Sequence, residues 1–229
     1  MKFLKDLLFP KVCLSCGFLG SHICLNCQQN LRKIDKDTCF YCKRPSFLGL
    51  THPPCKKKYG VDGFLACFYY NDVLKKIIKN IKYRLTREGL HELLLLFPEG
   101  VLDKLARYNK LYKNISVESI PLHRARQNQR GFNQSEEIAR FITSSFSFPR
   151  AQNLIRTRNT PPQSQQSKSA DRRQNIRNAF DLQPHHVFIS KEILLVDDVV
   201  TTGATISEAS QVLKRHGARK VLVFTLAKG

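Results

Sequence analysis

Tryptophan is absent from the 229-residue chain, and methionine occurs once. Packing must therefore rest on Leu, Ile, Val and the 15 Phe. Hydrophobic residues make up 42% of the chain, enough for a real core. The length fits one domain of ordinary size plus a small appendage. No apolar run reaches the roughly 20 residues of a membrane-spanning helix. The start, Met1 to Pro10 (MKFLKDLLFP), is too short and too charged for a secretory signal. Both absences favour a soluble, cytoplasmic protein, with peripheral contact at the inner face of the membrane as the alternative. Acidic residues are scarce as well, 18 against 38 Lys plus Arg, for a net charge of +20. A field of that size favours polyanionic partners: nucleic acid, anionic membrane or phosphorylated ligands. A uniformly basic proteome would give the same balance, so charge alone does not decide.

Cysteine is missing after position 67, and all eight cysteines lie before it. In a chain read as cytoplasmic this points to metal rather than disulfides. Three pairs stand out, Cys13-x-x-Cys16, Cys24-x-x-Cys27 and Cys39-x-x-Cys42, followed by single Cys55. Each pair can place two thiolates on one metal, and two pairs close a tetrahedral zinc site. The pairing is open: the first pair could join the second or the third. Cys67 lies in an apolar stretch and reads as an inert core thiol. The composition shift divides the chain into a cysteine-rich zinc-binding module over 1–62 and a larger domain over 63–229.

Beyond the module, FLACFYY (64–70) reads as a strand. Asp72 is a plausible N-cap for a helix over 73–83, with apolar residues at 73, 74, 77, 78 and 81 and lysines opposite. Helical patterning returns over 90–97 and 102–111. A strand over 115–121 ends in a loop, and 134–146 reads as a helix. Residues 157–175 hold no large apolar side chain and read as a mobile functional loop or disorder. A strand over 193–196, a helix over 204–216 and a strand over 221–226 make a β-α-β unit, with Gly217 at the helix C-cap. The alternation predicts an α/β domain with a mainly parallel sheet.

The most informative string is ILLVDDVVTTGAT (193–205). An apolar strand runs into two carboxylates, then a turn of small hydroxyl residues, then a helix. The first N–H groups of a helix lack internal partners and lie at the positive end of its dipole. Thr201, Thr202 and Thr205 add hydroxyl donors, and Gly203 allows close backbone approach. Asp197 and Asp198 cannot hold phosphate, since charge repels, but each suits the hydroxyls of a diol. The string thus asks for a phosphate and a diol a few ångströms apart, as in ribose 5-phosphate. Asp198 alone would be read as a helix cap; the whole ordered string is not. Both carboxylates are expected at a solvent-facing strand end.

This string resembles the 5-phosphoribosyl pyrophosphate (PRPP) motif of the type I phosphoribosyltransferases. The resemblance implies that Asp197 and Asp198 hold ribose hydroxyls, and that the run from Val199 through Thr201, Thr202, Gly203, Ala204 and Thr205 surrounds the 5-phosphate. It also implies Mg²⁺ on the pyrophosphate and ribose oxygens. A second string, IPLHRARQNQRGFNQS (120–135), gathers His123, Arg124, Arg126 and Arg130 before a glycine and a helix. Arginines there could neutralise a pyrophosphate with bidentate bonds, although such runs are more often solvated basic loops. Together with RRQNIRNAF (172–180) and the cysteine-rich start, this string resembles the ComF family across nearly the whole chain. The resemblance implies a type I phosphoribosyltransferase-like parallel sheet flanked by helices, an N-terminal zinc ribbon, and a pyrophosphate loop at His123, Arg124, Arg126 and Arg130. The family tends to carry four cysteine pairs, but Lys58 stands where the eighth thiol would fall. The second site then has Cys39, Cys42 and Cys55, with either His52 as its fourth ligand or the site lost.

Residues 72–87 hold six basic groups against one acid, with Tyr69, Tyr70 and Tyr83 near enough to stack bases. By the resemblance, the chain would handle single-stranded DNA during natural transformation, beside other competence or recombination proteins. An alternative is a nucleobase or other small-molecule phosphoribosyltransferase, against which no segment reads as a base-binding hood. A third is a PRPP sensor, against which the first 67 residues show no helix-turn-helix pattern. Whether a phosphoribosyl group is transferred is not legible in the sequence.

Overall fold

The computed structural model describes residues 10–84, 86–160, 174–186, 188 and 190–229. After the short helix α1 (Leu25–Gln29), the chain enters β1 (Gly63–Tyr69), α2 (Asp72–Arg84), α3 (Arg87–Leu94), α4 (Glu99–Leu111) and β2 (Ser116–Ser119). It continues through α5 (Arg124–Arg130), α6 (Gln134–Phe146), β3 (Arg150–Ala151), β4 (Leu154–Arg156) and β5 (Phe180–Leu182). β6 (Glu192–Val200), α7 (Ala204–Arg215) and β7 (Lys220–Lys228) complete it.

Five strands form one sheet in the order β1-β7-β6-β2-β3, and every pairing in it is parallel. β4 and β5 form a separate antiparallel pair. The central strands β6 and β7 are apolar on both faces because helices or loops cover both, as parallel sheets require. Successive side chains point to opposite faces. Leu194, Val196, Leu222 and Phe224 thus enter one core, which α2, α3, α4 and α6 cover. Ile193, Leu195, Val221 and Val223 enter the other, which α7 and the β4–β5 pair cover. Full burial of each such side chain is worth about 1.5–3 kcal/mol, so neither layer is dispensable.

In α2, Leu74, Ile77, Ile78 and Ile81 are buried at helical spacing, while Lys75, Lys76 and Lys79 are exposed. The helix begins one residue earlier than its pattern suggests. Its cap is Asn71, whose Oδ1 accepts from the Leu74 N–H at 3.1 Å; Asp72 falls inside the first turn. α7 closes as predicted, with Gly217 just beyond the cap His216 at φ +110°. Several short elements escaped the sequence pattern, among them α1, β3, α5 and the β4–β5 pair. α5 looks like a loop because none of its residues is buried. The β4–β5 pair is only three residues per strand. Most of the polar stretch read as a mobile loop, residues 161–173, lies outside the described residues.

The cysteine-rich module shares both cores with the larger domain. Cys13, Leu14 and Ile23 pack with Leu74 and Ile77, and Ile34 and Phe40 pack with Phe64 and Ile193. Backbone bonds stitch the two together: Ile34 N–H to Cys67 O at 3.0 Å, and Tyr69 N–H to Arg32 O at 2.8 Å. Cys67 is wholly buried in β1 and its thiol is pushed well up by that burial.

Candidate functional site: a cleft at the ends of the central strands

β6 is longer than its apolar run. It carries Asp197 and Asp198 within the strand, pairing as far as Val200 with Lys228. The expected solvent-facing strand end is therefore not what the fold provides. Asp197 is only 8% exposed, and Asp198 is half-buried. The cause is α6, whose start is pinned over the strand ends. Asn133 donates from Nδ2 to Ile120 O at 2.9 Å and accepts the Ser135 N–H at 3.1 Å. That places Ser135 Oγ to donate to Asp197 Oδ1 at 2.9 Å. The Asp198 N–H donates to the same oxygen at 2.9 Å. Burial, then the neighbouring Asp198 carboxylate, push the Asp197 carboxyl up to about 7, against these two hydrogen bonds. Asp198 is ion-paired with Lys82 of α2.

Both carboxylates open on a cleft of about 590 Å³. Its floor is the turn from Val199 through Thr201, Thr202, Gly203, Ala204 and Thr205, which leads into the first turn of α7. Gly203 caps that helix in the left-handed region at φ +75°. A Cβ there would lie 2.5 Å from Phe40 Cζ, so glycine is required for shape as well as for conformation. One wall is α2 with Tyr70, presenting Lys75, Lys79, Lys82 and Tyr83. The opposite wall is made by Arg126, Arg130, Asn133, Gln134 and Arg156.

Of the four residues expected to form a pyrophosphate loop, Arg126 and Arg130 line the cleft. His123 and Arg124 are not among its lining residues. His123 instead caps α5, its Nδ1 facing the Ala125 N–H at 3.3 Å. The helical twist of α5 explains the split, since Arg126 and Arg130 are four residues apart and share a face.

Sequence reasoning missed Lys82, Gln134, Ser135 and Arg156. Gln134 is 3% exposed. Among the described residues, its Nε2 and the Arg156 Nε are buried without a hydrogen-bond partner, and both residues line the cleft. Buried polar atoms are nearly always partnered, so such orphans point to a ligand. Arg156 is held by Thr160 Oγ1 at 2.7 Å and stacks over Phe180, while Arg126 donates to Thr160 O. Burial, then the nearby Arg126, hold the Arg156 guanidinium down to about 10. Its strand is positioned from behind by Glu118, buried in β2, which accepts from the N–H groups of Asn153 and Leu154 at 2.9 and 3.2 Å. No local pattern marks Arg156. The one available cue was a lone arginine after two apolar residues in a basic segment.

The module brings its cysteines together in two clusters, Cys13/Cys16/Cys24/Cys27 and Cys39/Cys42/His52/Cys55. Within each, the ligand atoms all lie within 4.8 Å of one another. Cys16 Sγ is 3.5 Å from Cys24 Sγ, and Cys42 Sγ is 3.3 Å from His52 Nδ1. A tetrahedral zinc with bonds of about 2.0–2.3 Å needs ligand atoms roughly 3.3–3.8 Å apart, so both donor sets fit zinc. The first pair joins the second, and His52 stands in the place left by Lys58. Hydrogen bonds from Arg44 hold the Cys42 thiol down to about 6, towards the thiolate that a metal binds.

A parallel sheet with an aspartate pair, a threonine-glycine turn and a helix start at its carboxyl edge defines a phosphoribosyltransferase-like protein. Residues 133–229 match the phosphoribosyl transferase domain family. Over 218 residues the chain is 32% identical to the DNA utilization protein YhgH of Escherichia coli K12, covering 90% of each chain. It is 28% identical to competence protein F of Haemophilus influenzae, covering 90% of this chain and 96% of the relative. It is 29% identical to competence protein ComFC of Bacillus subtilis, covering 90% and 84%. The chain belongs to the ComF family. Among the described residues no helix is long and apolar enough to cross a membrane.

Proposed function

We propose that the cleft binds PRPP or a close phosphoribosyl relative, and that the chain uses it while handling single-stranded DNA in the cytosol during natural transformation. The observation that carries the ligand is the convergence of Asp197 and Asp198, the Thr201–Thr205 turn and Arg126, Arg130 and Arg156 on one cavity. The turn and the helix start take the 5-phosphate. The carboxylates accept from the ribose hydroxyls. The arginines face the pyrophosphate, with Gln134 donating to the same ligand. Mg²⁺ would accompany the pyrophosphate, neutralising charge that the arginines leave uncovered. The zinc clusters would hold the module in shape.

The DNA reading is supported by the names of the relatives and by the +20 charge. It is supported too by the cleft wall that combines Lys75, Lys79 and Lys82 with Tyr70 and Tyr83. Lysines track a phosphate backbone and tyrosine rings stack unpaired bases without reading sequence. Other competence or recombination proteins and the inner membrane face would supply the context in which the strand arrives.

The test is a salt series. Three lysine–phosphate contacts give a slope near −2 in log affinity against log salt, so affinity for single-stranded DNA should fall roughly 20-fold between 50 and 200 mM salt. It should depend little on base sequence. A flat series removes the DNA reading, and calorimetry with ribose 5-phosphate tests the ligand reading separately.

A further inference from the structure

The cysteine clusters and the cleft meet at one side chain. Phe40 lies between Cys39 and Cys42, in a tight turn closed by Lys43 N–H to Cys39 O at 3.0 Å and Cys39 N–H to Arg44 O at 2.9 Å. Its ring is 6% exposed. Phe64 and Tyr41 pack edge-on against it at 5.6 and 5.1 Å, and the Lys43 ammonium sits 5.1 Å from its centroid. The remaining side of the ring is filled by Gly203, where a Cβ would meet Cζ at 2.5 Å and Cε2 at 3.1 Å. Nothing but the glycine backbone fits there.

We infer that Phe40 is a positioning residue for the sugar-phosphate turn, and that a metal held by Cys39, Cys42, His52 and Cys55 sets ligand affinity through it. The inference rests on the phosphoribosyl reading of the cleft. Gly203 is the N-cap of α7, so a shift of the ring displaces the N–H groups that face the phosphate. The ring cannot shift alone. Lys228 Nζ donates to Thr38 Oγ1 at 3.1 Å, and Lys104 Nζ donates to Asp37 Oδ1 at 2.8 Å, just before the Cys39–Cys42 turn. That turn is joined to residues 52–55 by the ligand set and by His52 Nε2 facing Pro45 O at 3.1 Å; a metal fastens the ligand set, and metal loss frees it. Cluster, ring and glycine thus form one contiguous packed path about two side chains long. Ligand and metal must then tighten each other by the same factor, as linkage requires.

The experiment uses the full chain with zinc bound. Zinc release to a chromogenic chelator is titrated with and without ribose 5-phosphate, and ribose 5-phosphate binding is measured by calorimetry. Ribose 5-phosphate should tighten the binding of one zinc by about tenfold, read as the chelator concentration needed to remove it at equilibrium, a typical coupling. Phe40→Leu should keep both metals and bind ribose 5-phosphate about tenfold more weakly. Gly203→Ala should weaken binding and loosen that zinc, and adding Phe40→Leu should recover part of both losses, because a smaller side chain admits the new methyl. A purely structural role predicts additive losses and no effect of ligand on zinc. Additivity, or Phe40→Leu binding like the wild type, overturns the inference. If the wild-type chain binds no ribose 5-phosphate, the phosphoribosyl reading fails. Zinc release from Gly203→Ala against wild type then still decides whether ring and glycine are coupled. The same comparison decides if Phe40→Leu does not fold.

Discussion

Asp197→Asn separates what the buried carboxyl does for the ligand from what it costs the fold. In the native chain its pKa is raised to about 7, by burial first and by Asp198 second. In the unfolded chain it titrates near 3.9. The folded state therefore holds the proton more tightly, and the contribution is favourable below the unfolded value. It is lost progressively as pH rises towards 7, at about 1.4 kcal/mol per pH unit. Asparagine presents an equivalent Oδ1 to the Ser135 hydroxyl and the Asp198 N–H, both at 2.9 Å, and does not titrate. Between pH 5 and pH 8 the stability of Asp197→Asn relative to wild type should therefore grow by about 2–3 kcal/mol. Denaturant unfolding of the two proteins at each pH gives the number. Binding should move the opposite way. Wild-type affinity for ribose 5-phosphate should climb as the carboxylate forms near pH 7, and the variant should bind weakly with a flatter profile. A stability difference that stays constant or shrinks with rising pH would show that Asp197 is ionised throughout, and the reasoning from burial would be wrong.

Arg156→Gln should cost about 10- to 100-fold in PRPP affinity, the worth of one or two charge-assisted hydrogen bonds, with little change for ribose 5-phosphate. Equal losses for both ligands in calorimetry would place Arg156 at the wrong phosphate. His52→Ala should lower the zinc content from about two equivalents to about one by elemental analysis. A variant that still holds two would remove His52 from the ligand set. Replacing Lys75 and Lys79 with Gln should reduce the salt slope for single-stranded DNA by roughly 1.4, at about 0.7 per lost phosphate contact. An unchanged slope would move the DNA path away from α2.

The parallel sheet, α2, α6 and α7 were legible because each buries a wide apolar face, and burial at a fixed period is what a sequence displays. The Asp197–Thr205 string was legible because its chemistry is continuous along the chain. Arg156, Lys82 and Phe40 were not. Lys82 and Arg156 reach the cleft from different elements, and Phe40 packs against its Gly203, so their convergence is a property of strand order and helix packing. α5 was unreadable for a related reason: none of its side chains is buried, so no period appears in RARQNQR. The carboxylates looked solvent-facing because the sequence shows the strand that carries Asp197 but not the α6 start that Asn133 pins over it.

The Lys82–Asp198 pair makes the two proposed ligands speak to each other. One ammonium cannot neutralise a carboxylate and a passing phosphodiester at once. A strand that draws Lys82 away leaves Asp198 bare for a hydroxyl or a divalent ion, whereas a sugar that claims Asp198 releases Lys82 towards the strand. Occupancy of the cleft by the small molecule and of the α2 face by the polymer should therefore reinforce each other, until the polymer grows long enough to cover the opening.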